Sequence, residues 1–178
     1  MSERPADNQR TVEAHEGMRC RDAVNMAPSV KLAIVVAEFN RELTEGMLKQ
    51  ALKRSAQLKA MVSYVCKVPG SYDMPLIIQT MLKKDDVDAV VTLGAIVKGE
   101  TKHDEVIAHA IAAKIIQLSL QYEKPVTLGV SGPGMSWQEA KARVNEYPNR
   151  SVNAAVEMVL RQREAKRKRS RSHTLVIE

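Results

Sequence analysis

Aromatic residues are scarce in this 178-residue sequence, which holds one Phe, one Trp and four Tyr. Its core must therefore be packed from aliphatic side chains, and a hydrophobic content of 44% is enough to supply them. Cysteine is scarce too. Cys20 and Cys66 lie in different kinds of segment and suggest no disulfide scaffold. Cys66 falls in an apolar strand pattern, where a buried free thiol is expected. No apolar run approaches the ~18 residues of a membrane span, and residues 1–28 lack the hydrophobic segment of a secretory signal. The expectation is a soluble, cytoplasmic protein of a reducing compartment, with no membrane partner. Gly-x-Gly-x-x-Gly and the phosphate loop are both missing, which argues against a dinucleotide or nucleoside triphosphate. No Cys/His spacing matches a zinc site, and His103 and His109, six apart, do not share a helix face, so no metal is expected.

Charge is present but unevenly placed. The net charge of +6 comes from residues 161–171, RQREAKRKRSR, with seven basic residues against one acid; the remaining 20 basic and 20 acidic residues cancel. The body is neutral and the basicity belongs to a tail. A run of this kind reads first as a solvated helix end or extension, and second as an anion- or RNA-contacting arm. Nucleic acid is not expected as the main partner.

Residues 1–28 are polar, poor in aliphatics and interrupted by Pro5 and Pro28, and read as a mobile arm. Residues 29–160 form the regular domain and 161–178 the basic tail. Within the domain, residues 30–36 read as a buried strand and 41–58 as a helix with Leu43, Met47, Leu48, Ala51 and Leu52 on one face. A second strand covers 61–68. Pro69-Gly70 turns the chain, and Asp73-Met74-Pro75 opens a helix to about Lys84, with Asp73 as its N-cap. Residues 87–95 make the third strand, the helix after His103 reaches about Tyr122, and 126–130 make the fourth strand. A loop at 131–134, a short helix at 136–145, a break at Tyr147-Pro148-Asn149 and a helix from Arg150 into the tail complete the order. Strict β-α alternation with short loops implies parallel strands and right-handed crossovers. The expected fold is α/β: a three-layer α/β/α sandwich with a flavodoxin-like, parallel four-stranded sheet in the order 2-1-3-4. The loops after the four strands, at 37–40, 69–72, 96–101 and 131–134, then gather on one edge of the sheet.

The third of these loops carries the most information. Residues 87–98, VDAVVTLGAIVK, read as a strand buried on both faces, and Gly99-Glu100-Thr101-Lys102-His103-Asp104-Glu105 follows at once. Ile107, Ile111, Ile115 and Leu118 then set a helical spacing. The carboxyl end of a parallel strand meets the amino end of a helix here, where free amides and the helix dipole favour a ligand. The amides of Glu100 and Thr101 with the Thr101 hydroxyl make an anion nest, and His103, one turn inside the helix, can reach what they hold. Phe39, the single Phe, lies in the first loop, where it could stack on a planar heterocycle. The second loop offers amides and hydroxyls suited to a polyol. Each of these residues also has a plainer reading. Phe39 can be a packing plug, Asn40 a helix cap, residues 68–73 a tight turn, and His103 a solvent-facing helix start. Asp104 and Glu105 can merely complement the dipole, and Arg143 can be a surface helix arginine.

Together, Ala37-Glu38-Phe39-Asn40, the run Val68-Pro69-Gly70-Ser71-Tyr72-Asp73-Met74-Pro75, Leu93 through His103, and Pro125-Val126-Thr127-Leu128-Gly129-Val130 resemble the lumazine synthase family of riboflavin biosynthesis. The resemblance covers about residues 30–160. The Gly-Glu-Thr-Lys-His-Asp-Glu motif and Ser131-Gly132-Pro133-Gly134-Met135 look closer to the archaeal branch than to the common bacterial one. It implies condensation of 5-amino-6-(D-ribitylamino)uracil with 3,4-dihydroxy-2-butanone 4-phosphate, releasing phosphate and water. By position it implies that Phe39 stacks on the pyrimidine. Ser71, Tyr72 and Asp73 would bind the ribityl chain and ring edge, aided by Ala95, Ile96 and Val97. Glu100 and Thr101 would hold the phosphate through their amides, with Arg143 supplying charge and His103 moving protons. Leu128 would reach the uracil from a subunit boundary, and Asp104 stands where bacterial members carry an aromatic. The family also implies a homo-oligomer, a pentamer or a shell of pentamers, whose sites lie between subunits, and riboflavin synthase as an associated protein.

Imine formation, phosphate elimination, ring closure and dehydration need proton shuttling without redox change, so no cofactor is expected. A histidine suits proton transfer at neutral pH. Two rival readings remain: an archaeal-type riboflavin synthase, which dismutates the lumazine, and a non-catalytic flavodoxin-like module that docks RNA through its tail.

Overall fold

Alternation along the strands explains the layers of this computed structural model, which describes residues 29–170 and 174–177. Strand β1 (Lys31–Ala37) sends Ala33, Val35 and Ala37 to one side of the sheet and Leu32, Ile34 and Val36 to the other. Both sets are buried, so the run is apolar at nearly every position, as a central parallel strand requires. Helix α1 (Arg41–Gln57) follows, then β2 (Met61–Val68), a 3-10 turn (Ser71–Asp73), α2 (Met74–Leu82) and β3 (Ala89–Val97). Helix α3 (His103–Tyr122), β4 (Val126–Met135), α4 (Trp137–Ala142) and α5 (Glu146–Arg167) complete the chain. All strands pair in parallel, in the order β2-β1-β3-β4. Helices α2 and α3 cover one face, where Met74, Ile78, Ile111 and Ile115 meet Ala33, Val35 and Val90. Helices α1 and α5 cover the other, where Ala51, Val152 and Val156 meet Leu32, Ile34 and Val91. The expected α/β sandwich and strand order are those observed.

Several boundaries differ from the sequence reading, each for a local reason. On α1, Leu43, Met47 and Ala51 are buried, but Leu48 is only partly covered and Leu52 is exposed, so the inward stripe is narrower than expected. Cys66 is half-buried because β2 is an edge strand with one open side, though burial still pushes its thiol above the ordinary value. Asp73 stands at the N-cap position of α2, as expected, but its side chain makes no cap bond to that helix. It closes the 3-10 turn, where its carboxylate accepts from the Gly70 amide at 2.9 Å. Helix α2 stops at Leu82, and the Lys124 ammonium donates to the carbonyls of Leu82 and Lys84.

Strand β3 lies two residues later than expected at both ends. The Asp88 carboxylate takes the Lys31 amide before the ladder begins, and the partner strand extends its far end. That partner is the largest departure. Residues 131–134 are not a free loop but part of β4, which returns to β3 at Val97–Met135 pairing. His103 is the first residue of α3 rather than one turn inside it. The short helix is confined to α4, with Ser136 as its cap. Tyr147-Pro148-Asn149 does not break the chain but lies in the opening of α5, where proline is tolerated because its missing N–H has no helical acceptor.

Helix α5 continues through the basic run to Arg167. Along it Arg161 pairs with Glu157, Arg163 with Asp88, Lys166 with Glu123 and Lys168 with Glu164. The reading of residues 1–28 as an arm, together with Cys20, falls outside the described residues. Among the described residues no helix is long and apolar enough to cross a membrane.

Candidate functional site

Parallel strands bring their carboxyl ends together, and the loops there are held by hydrogen bonds that cross from strand to strand. The amides of Glu38 and Phe39 donate to the carbonyls of Val68 and Pro69, at 2.7 and 2.9 Å, which binds the first loop to the second. Asn40 adopts a left-handed backbone (φ 58°), a conformation Asn tolerates better than most residues. Its carbonyl accepts the first helical amides of α1, but its side chain does not cap the helix. It donates instead to the Ala95 carbonyl at 2.8 Å, so the first loop is also fixed to the end of β3. Phe39, held between these anchors, remains 71% exposed, as a packing plug would not.

The second loop reaches over β3 because Gly94 lacks a side chain. A Cβ at that position would lie 2.5 Å from the Ser71 hydroxyl, so glycine is what lets Ser71 settle against the strand. The third loop leads from Val97 to α3. Val106 is the first residue of this helix to close a hydrogen bond, donating to the Lys102 carbonyl at 3.3 Å. The amides before it therefore stand outside the helical ladder at the positive end of the dipole.

These loops enclose a cleft of about 360 Å³, within the usual range of a small-molecule site. Eight of the residues expected at the site line it: Phe39, Ser71, Tyr72, Ala95, Ile96, Val97, Thr101 and His103. Its floor is apolar, its rim carries the Phe39 and Tyr72 rings, and its polar groups converge at the mouth of α3. Four expected residues lie elsewhere. The Asp73 carboxylate is occupied with the Gly70 amide, and Glu100 is exposed and does not line the cleft. Leu128 is exposed on the outer edge of β4, beside a separate hollow of about 450 Å³ formed with Tyr147 and Arg150. Arg143 caps the end of α4, loosely held, with Met135 Sδ and a Glu146 carboxylate oxygen each 4.0 Å away.

Gly70, Gly99, Asp104 and Ile107 also line the cleft and were not picked out as site residues. Ile107 carried a helical-core signal that hid its lining role. Asp104 is the more consequential omission. It is only 7% exposed, and its carboxylate accepts the Gly134 amide of β4 at 3.0 Å. No signal in the sequence spacing joins positions 30 residues apart. Beyond Gly134, Ser136 and Glu139 form a reciprocal cap that starts α4. Hydrogen bonds from the Ser136 amide and hydroxyl hold the Glu139 carboxyl below the ordinary carboxylate range. Among the described residues, no cluster of three or more His, Cys, Asp or Glu could hold a metal ion.

Comparison with known proteins shows which family the chain resembles. The family model described as 6,7-dimethyl-8-ribityllumazine synthase matches residues 29–163. A protein of that description from Saccharolobus islandicus (strain L.S.2.15 / Lassen #1) is 49% identical over 150 residues, covering 84% of this chain and 97% of the relative. One from Metallosphaera sedula is 50% identical over 135 residues, covering 76% and 89%. Another, from Pyrobaculum arsenaticum, is 46% identical over 149 residues, covering 84% and 99%.

Proposed function

The chain belongs to the 6,7-dimethyl-8-ribityllumazine synthase family, a family of transferases in riboflavin biosynthesis, and from that membership we propose its reaction and the residues that perform it. It condenses 5-amino-6-(D-ribitylamino)uracil with 3,4-dihydroxy-2-butanone 4-phosphate to give 6,7-dimethyl-8-ribityllumazine, phosphate and water. The observation that carries the proposal is the single cleft that joins an exposed Phe39, the Ser71 hydroxyl, Thr101 and His103 at the mouth of α3.

In this reading the pyrimidine lies against the Phe39 ring and over the apolar floor of Ala95, Ile96 and Val97. The ribityl chain runs along Ser71, Tyr72 and the Asp73 turn. The phosphate occupies the amides around Glu100 and Thr101, where the helix dipole favours an anion. The amine of one substrate attacks the ketone of the other and water leaves as the imine forms. Phosphate elimination then follows removal of a proton from carbon, and ring closure with loss of a second water completes the product. We assign the proton transfers in these steps to His103, a role supported by its position at the start of α3 and in the cleft wall. Such transfers contribute typically 10²–10⁴-fold, while holding two reactants in register can contribute more. Positioning therefore dominates and His103 assists.

Arg143 and Leu128 lie outside this cleft, on the flank of β4. In our reading they complete the cleft of a neighbouring subunit, so that the working unit is a pentamer or a shell of pentamers. The exposed apolar side chains of Leu120, Leu128 and Met158 beside the open edge of β4 support an assembly.

Mixing the protein with both substrates and following lumazine fluorescence tests the reaction. Fluorescence should appear only when both are present. Supplying the lumazine alone should yield no riboflavin; riboflavin in that arm would instead identify a riboflavin synthase.

A further inference from the structure

Between Ala95 and Val97, strand β3 advances by two residues while β4 advances by four, from Ser131 to Met135. Gly132, Pro133 and Gly134 therefore form a bulge opposite Ile96. Gly132 (φ 105°) and Gly134 (φ 80°) both occupy backbone conformations that favour glycine. At Gly132 a side chain would also collide with the Ile96 carbonyl. A bulge takes its amides out of the ladder, and an unpaired amide beside a cleft has to be satisfied from elsewhere. The Gly134 amide is satisfied by Asp104, the second residue of α3. Ladder pairing resumes directly afterwards, where the Lys98 amide donates to the Met135 carbonyl at 2.8 Å.

This contact sits at a junction. On one side Asp104 adjoins His103 and faces the cleft. On the other, Gly134 lies two residues before Ser136, the N-cap of α4, whose C-cap is Arg143. Trp137, the single Trp of the chain, is the first residue of α4 and packs against the Leu43, Met47, Ala95 and Ala140 cluster.

We propose that Asp104 is a positioning residue whose hydrogen bond to the β4 bulge holds His103 in its own cleft and, through the start of α4, sets the place of Arg143. The kinetic part of this inference rests on the proposed reaction; the structural part does not. What matters is an acceptor oxygen of the right reach, not the charge. Asp104→Asn keeps such an oxygen, and Asp104→Ala removes it.

Asp104→Ala should lower kcat roughly ten- to hundredfold, the scale on which small misplacements of reacting groups act. It should also raise KM for the phosphate-bearing substrate, shift Trp137 emission to longer wavelength and speed exchange of the Gly134 amide. Asp104→Asn should restore all four to near the wild-type values. If Asp104→Ala lowers only the melting temperature, with kinetics and Trp137 emission unchanged below the transition, the positioning role is overturned. Equal loss in both variants would also overturn it, because charge would then be the operative property. If the wild-type protein makes no lumazine, the reaction proposed above fails, and the tether is judged on amide exchange and Trp137 emission alone. Faster exchange and red-shifted emission in the Ala variant but not the Asn variant then support it, and no difference between the variants overturns it.

Discussion

The cleft at the ends of β1, β2 and β3 and the outer flank of β4 are built on opposite terms. In the cleft, each loop is tied to its neighbour: Phe39 to Pro69 through the backbone, Asn40 to Ala95, and Ser71 against Gly94. Its side chains are placed by one chain alone. On the flank, Leu128 is exposed on an open strand edge, and the Arg143 guanidinium makes only long contacts, to Met135 Sδ and a Glu146 carboxylate oxygen at 4.0 Å each. The first region is preorganised; the second is a surface that becomes useful against something else. In the proposed reading, a site divided this way would gain its precision from the fold and its completion from assembly.

The strongest way to break this comparison is to disable the two regions in different molecules. His103→Ala and Arg143→Glu proteins should each be strongly impaired, at least about tenfold, under conditions limiting in the phosphate-bearing substrate. Dissociated, mixed and reassembled, they should regain a readily measured fraction of wild-type activity, because some interfaces then hold both native residues. No recovery in assemblies shown by mass to be mixed would place Arg143 and His103 in the same subunit's site or remove one of them from it. A fully active monomer in sedimentation would have the same force.

Separately, the two regions should fail differently. His103→Ala should cut kcat by roughly one to two orders of magnitude with little change in melting temperature, the low end of the acid–base range, since positioning survives. An unchanged kcat would take His103 out of the mechanism. Arg143→Ala should raise KM for the phosphate-bearing substrate by about tenfold, as loss of one charge-assisted contact implies, and leave pyrimidine binding nearly unchanged. Equal weakening of both substrates would make Arg143 structural.

A smaller effect sharpens the preorganised side. Gly94→Ala should turn the Ser71 hydroxyl away from the strand and raise KM for the pyrimidine substrate a few-fold. It should also lower stability by about 1–3 kcal/mol, the usual cost of overpacking, seen as a reduced denaturation midpoint. A normal KM would show that Ser71 does not touch the ribityl chain. The smallest effect is expected at Asp73→Ala, which loses the bond to the Gly70 amide and should destabilise the 3-10 turn by about 1 kcal/mol, as deletion of a capping side chain does. A loss of activity much larger than this stability change would give Asp73 a direct part in binding.

The sequence by itself determined the fold class, the strand order and most of the cleft. Apolar runs at 31–37 and 89–97 can be buried only as central parallel strands, and alternation with helices leaves few topologies. Phe39, Ser71, Thr101 and His103 were legible because each sits where a strand ends, a position that local punctuation marks. What the local pattern could not reveal were partnerships between distant residues. Asp104 read as a dipole-complementing acid, and 131–134 read as a loop because glycine and proline usually end a strand. Only the tertiary structure sets the Gly134 amide beside the Asp104 carboxylate, which joins the bulge to α3. The same limit explains Asn40, whose cap position was evident but whose side chain is taken by the Ala95 carbonyl 55 residues away. A local pattern specifies which backbone groups will lack partners; which distant group supplies them is decided by how the layers pack.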